Sequence, residues 1–185
     1  MKKDYQTEVG LLAIWNSESF SDIDTQEKYQ SRFVNDSDMV DIMNRGQAVI
    51  WATGGDGTFP IRVRVNPEQD LSPEEVKFVE MKALNLKLVV TSGKVFIGTP
   101  EGVGSLENKL FQNGVISPVE GITAGNYLVN VYFLYHSEAV DMNLAALEAK
   151  LKENPDFDKN GYVVVLKRVD NDYSFPIVTE LPQLG

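Results

Sequence analysis

The chain has 185 residues, 43% of them hydrophobic, enough to fill one good core, so a single domain over residues 1–185 is expected. Its 17 basic and 27 acidic groups leave a net charge of -10 and a pI near 4.6, a balance that repels nucleic-acid phosphates and anionic membranes. The absence of cysteine excludes disulfides, thiolate metal sites and cysteine nucleophiles together.

The opening "MKKDYQTEV" places Asp4 and Glu8 where a secretion signal needs an apolar stretch, and runs such as "VGLLAIW" fall far short of the ~20 residues that cross a bilayer. A cytoplasmic protein is expected. The first strand is predicted over residues 9–16. Residues 17–41 then hold seven acidic side chains against Lys28 and Arg32, about half of the net charge, and read as a mostly irregular solvated segment. "SDMVDIMNRG" predicts a short helix capped by Ser37 and closed by Gly46.

Strands follow over 47–53 and 58–65, the second with Phe59, Ile61, Val63 and Val65 on one face and Thr58, Arg62 and Arg64 on the other. In "LSPEEVKFVEM" Ser72, Pro73 and Glu75 stand in capping-box order, while Val76, Phe78 and Val79 fit either a helical turn or the start of a strand. "LNLKLVVTSGKVFIG" reads as a hairpin turning at Ser92 and Gly93. "NYLVNVYFLY" is apolar on both faces and is expected to be a central strand.

A helix is predicted over 137–155 from Val140, Leu144, Leu147 and Leu151, stopped by Pro155 and lying on the sheet. Strands over 161–169 and 173–180 complete the set. The expected class is mainly β (α+β): an antiparallel sandwich or strongly curled sheet with one clear amphipathic helix and one or two short ones.

Three stretches are candidates for chemistry. "WATGGDGTFPIRVRV" lacks the Gly-Lys-Ser/Thr of a phosphate loop and the following helix of a dinucleotide loop. It fits a hairpin turn through Asp56 and Gly57. The alternative is a small anion nest of backbone amides at Gly54, Gly55 and Gly57, with Arg62 or Arg64 nearby.

"DFDKNGYVVVLK" sets Asp156, Asp158, Asn160, Gly161 and Tyr162 at positions 1, 3, 5, 6 and 7 of a calcium loop, but Lys167 stands where the closing glutamate belongs. Calcium binding by Asp156, Asp158, Asn160 and the Tyr162 carbonyl, closed by Asp170 or Asp172, competes with a plain helix-to-strand turn. The single histidine, His136, rules out a two-histidine metal site, and no "GxSxG" elbow offers it a serine. Tyr127, Tyr132, Phe133 and Tyr135 are read as core in preference to a ligand pocket.

"DMVDIMNRGQAVIWATGGDGTFPIRVRV", followed by "TSGKVFIGTPE", resembles a pattern in small uncharacterised bacterial proteins of β-rich fold, a domain family of unknown function. The resemblance implies a bacterial source and a β-rich domain, and carries over no catalytic residue. Some small acidic bacterial proteins of this general kind are immunity proteins that bind and block a toxin.

Three functions are weighed on these grounds. The first is a non-catalytic acidic domain that binds a basic protein, as an immunity or regulatory partner, and needs no cofactor. The second is a calcium-stabilised β module, and the third, least favoured, is a carboxylate-dependent enzyme.

Overall fold

The computed structural model describes residues 2–7, 9–104, 116–135, 142–153 and 160–185. Nine strands are described among them: β1 (Lys2–Thr7), β2 (Leu11–Asn16), β3 (Ala48–Ala52), β4 (Gly57–Val65), β5 (Val79–Val90), β6 (Val95–Gly98), β7 (Ile116–Pro118), β8 (Gly125–Leu134) and β9 (Gly161–Val169). Helices are α1 (Gln26–Arg32), α2 (Asp36–Asn44), α3 (Pro73–Val76) and α4 (Leu144–Glu153). The strands form two sheets, one of five in the order β1-β4-β9-β8-β5 and one of four in the order β3-β2-β6-β7. The mainly β, α+β expectation holds.

The main core lies between the sheets and is built by strand alternation. Ile61 and Val63 of β4, Val129 and Val131 of β8, and Val164 and Leu166 of β9 point inward to meet Leu12, Ile14, Val49 and Trp51 of the smaller sheet. Tyr162 sits fully buried among Trp51, Phe59 and Phe133, with ring centroids 5.2–5.6 Å apart, and its hydroxyl donates to the Leu184 carbonyl at 2.9 Å. The opposite face of the larger sheet buries a second cluster, Leu71, Leu134, Val163 and Val165. β8 and β9 are therefore covered on both sides, as the doubly apolar "NYLVNVYFLY" requires.

Several expectations are corrected by the topology. The turns at Gly54–Gly57 and Ser92–Gly93 are not hairpins, because β3 and β4 belong to different sheets, as do β5 and β6. Each is a corner that carries the chain across the sandwich; alternation alone cannot tell a strand that pairs with its predecessor from one that faces it. Residues 173–180 form no strand. Instead the Asn44 side-chain amide serves as a local partner, donating to the Val178 carbonyl at 2.9 Å and accepting from its N–H at 2.8 Å.

The segment 17–41 is not mostly irregular, since it holds α1, capped by Thr25, and α2, whose cap is Asn35 and not Ser37. The expected helix over 137–155 is described only as α4, where Leu144 is 72% exposed and so does not meet a sheet. "LSPEEVKFVEM" resolves into both alternatives: one helical turn with a complete Ser72–Glu75 capping box, then the start of β5.

The edges of the smaller sheet are covered or short. The C-terminal segment lies along β3, with the Ala52 N–H donating to the Pro182 carbonyl and the Leu184 N–H to the Ala52 carbonyl, both at 2.9 Å. β1 is tied to β7 of the other sheet by Lys3 Nζ donating to Ser117 Oγ at 2.8 Å, and β7 itself is three residues long and ends in Pro118. No helix among the described residues is long and apolar enough to cross a membrane.

Candidate functional site

The outer face of the larger sheet carries a polar cluster under the segment that leads from β4 to β5. Strand alternation places Arg62 and Arg64 of β4, Lys167 of β9, and Asn130 and Tyr132 of β8 on this face. Residues 66–78 fold over them, anchored by Leu71 in the second apolar cluster and by the α3 capping box.

Two carboxylates from this cover organise the cations. Asp70 accepts from Tyr132 at 2.7 Å and Asn130 at 2.8 Å on one oxygen, and from Lys167 at 2.5 Å on the other, while its own carbonyl accepts from Arg64 at 2.6 Å. Glu75 accepts from Arg64 at 2.7 Å, Arg62 at 3.0 Å and the Ser72 N–H at 2.7 Å.

The electrostatics of both acids follow from these partners. Burial alone pushes Asp70 up, but Lys167, Tyr132 and Asn130 together outweigh it and hold the carboxyl below its ordinary value. For Glu75, burial is likewise outweighed, by the Ser72 N–H and the two guanidinium groups. Burial, reinforced by the Asp70 charge, pushes the Tyr132 hydroxyl up, so it stays protonated as a donor. Both acids are thus held in the ionised form by their cation and hydrogen-bond partners, which makes them poor proton acceptors.

Beside the cluster lies a half-open cavity of about 550 Å³, walled by Leu71, Val76 and Val79, with Tyr132 and Asp70 on one side and Glu80 and Lys82 on the other. Tyr132 packs on the second apolar cluster and also lines the pocket, whereas Tyr127 is fully buried with its hydroxyl on the Thr123 carbonyl at 3.0 Å. Sequence reasoning missed Asp70 and Asn130 altogether, and met Lys167 only as the residue at the closing position of the calcium loop. The available signal was the outer-face periodicity of β8 and β9, which sets Asn130 and Tyr132 on one side of "NYLVNVYFLY".

The glycine loop is placed elsewhere. Gly54, Gly55 and Asp56 are exposed, the Thr53 hydroxyl donates to the Gly55 carbonyl at 2.7 Å, and Gly54 takes a φ of 75° under the backbone of Gly185. Arg62 lies five residues beyond Gly57 along β4, about 16 Å at strand rise, and with Arg64 is bound to Glu75. The structure does not bring the arginines to Gly55, Asp56 and Gly57.

Asp156 and Asp158 of the calcium loop lie outside the described residues, as does His136. Asn160 and Tyr162 are described, and Tyr162 is a buried residue of β9. Lys167, at the loop's closing position, is engaged with Asp70. The expected result of thermal unfolding is therefore the same Tm in excess EDTA and in millimolar calcium. A rise of roughly 5–11 °C, the stabilisation by a ligand at ~100 times its Kd in a domain of this size, would make "DFDKNG" a site.

No family model and no curated protein matches the chain. Among solved structures it is similar to "Crocagin biosynthetic gene J", at 12% identity and a TM-score of 0.51 over 92% of this chain and 96% of that one. It also aligns with ComJ, inhibitor of the DNA degrading activity of NucA, from Bacillus subtilis, at 10% identity and a TM-score of 0.49 over 91% and 96%. At 12% identity the likeness to the first of these is one of fold alone.

Proposed function

We propose that the protein is a non-catalytic binding domain for a basic protein, of the immunity or regulatory kind, and that it docks through the acidic face of α1 and α2. The carrying observation is the state of the carboxylates in residues 17–41. Asp22, Asp24 and Asp41 are answered by Arg32, Lys28 and Arg45, but Glu27, Asp36 and Asp38 have no ionic partner among the described residues.

Between the two helices Val34 is 65% exposed, an apolar point within the acidic face. Unpaired surface charge of one sign speeds encounter with an opposite surface and selects against acidic competitors. The engagement of Asp70 and Glu75 with cations of the sheet supports the non-catalytic part of the reading.

Capture from lysate of the source cells at physiological salt is expected to hold a basic protein that high salt releases. Glu27→Lys combined with Asp36→Asn should slow its association about tenfold while leaving Tm nearly unchanged. No specific partner at physiological salt, or binding indifferent to both substitutions, would sink the proposal.

A further inference from the structure

β5 is one edge of the larger sheet, with β8 on one side and no strand on the other among the described residues. Near its C-terminal end the free side is taken by the Gly46 carbonyl, which accepts from the Val89 N–H at 2.7 Å. From Met81 to Ala83 no main-chain partner lies on that side among the described residues. An unpaired edge of this kind is a template for another strand.

We propose that the occupant is a second copy of this chain, paired antiparallel through β5 about a two-fold axis at Met81. The charge pattern carries the argument. Glu80 and Lys82 are both exposed, border the same cavity and have no ionic partner among the described residues. A lone lysine on an edge strand repels a copy of itself. In this register, however, Glu80 stands directly opposite Lys82 of the partner subunit, and the symmetry repeats the pair.

Two bulges hold that register. The pairing with β8 slips between Val79 and Met81 and again between Ala83 and Leu86, where Asn85 takes a φ of 60°. They bracket a short regular stretch, Met81 to Ala83, with Glu80 at the first slip, and prevent sliding. Met81 and Leu84, each 38% exposed, supply apolar surface at the contact. Because a two-fold contact uses the same edge of both copies, pairing through β5 closes at two copies and does not propagate.

The inference is independent of the proposed function and is tested on the full chain by sedimentation velocity over a concentration series from ~10 μM to ~1 mM. A monomer–dimer equilibrium is expected. Glu80→Lys and Lys82→Glu should each raise the dissociation constant at least about tenfold, because each opposes like charges twice. The double variant restores both pairs and should return to within about threefold of the wild type. Both side chains are exposed, and an unchanged Tm verifies the fold. A monomer at every concentration, a dimer indifferent to the single changes, or a double variant that fails to recover would each overturn the proposal.

Discussion

Replacing Asp70 with alanine is expected to cost about 2–3 kcal/mol and to lower Tm by roughly 4–12 °C in a domain of this size. The change leaves the Tyr132 hydroxyl, the Asn130 amide and the Lys167 ammonium without their acceptor at once. Lys167 is 41% exposed and can turn to water, so the cost falls below that of a fully buried ion pair.

The dependence on pH separates charge from packing. In the unfolded chain Asp70 titrates near its ordinary value of 3.8, and in the folded protein its partners hold it lower. Its contribution is therefore whole above about pH 5 and is lost as pH falls through the lowered folded value. Thermal melts of wild type and Asp70→Ala should differ most at neutral pH and converge as pH falls through the lowered folded value. A difference that stays constant through that fall would mean that the carboxylate charge is not what stabilises.

Glu75→Ala is the second large effect, at about 2 kcal/mol. It removes half of the capping box of α3, worth about 1 kcal/mol, and leaves two arginines that are only 23% and 29% exposed without their shared anion. Glu75→Gln keeps a side-chain oxygen for the Ser72 N–H and should recover about half of the loss. Urea unfolding with unchanged m-values would read both changes. Equal losses for Gln and Ala would assign the whole effect to the arginines.

These two residues show what was legible in the sequence. Glu75 was visible as a capping residue because a cap is local: Ser72 and Glu75 stand three positions apart. Its bond to Arg62 and Arg64 depends on the cover folding back over β4, which no local pattern reports. Asp70 carries no signal of its own, since its partners come from β8 and β9, 60 or more positions later.

The same division runs through the fold. Period-2 alternation located β2, β3, β4, β8 and β9, because one-sided burial writes itself into each strand separately. Pairing is a relation between distant segments, and for that reason the corners at Gly54–Gly57 and Ser92–Gly93 read as hairpins. β1 escaped notice because only Tyr5 and Thr7 of its six residues are buried.

The position of β9 has a consequence for how the chain is made. This strand lies between β4 and β8, parallel to β4 and antiparallel to β8, yet it is the last strand in sequence. During synthesis β4 emerges well before β8, and both then wait with facing edges unpaired until β9 has left the ribosome. Loop closure over such distances is slow, and the waiting edges are where a nascent chain associates wrongly. Closure of the larger sheet is in this sense gated by the arrival of one strand.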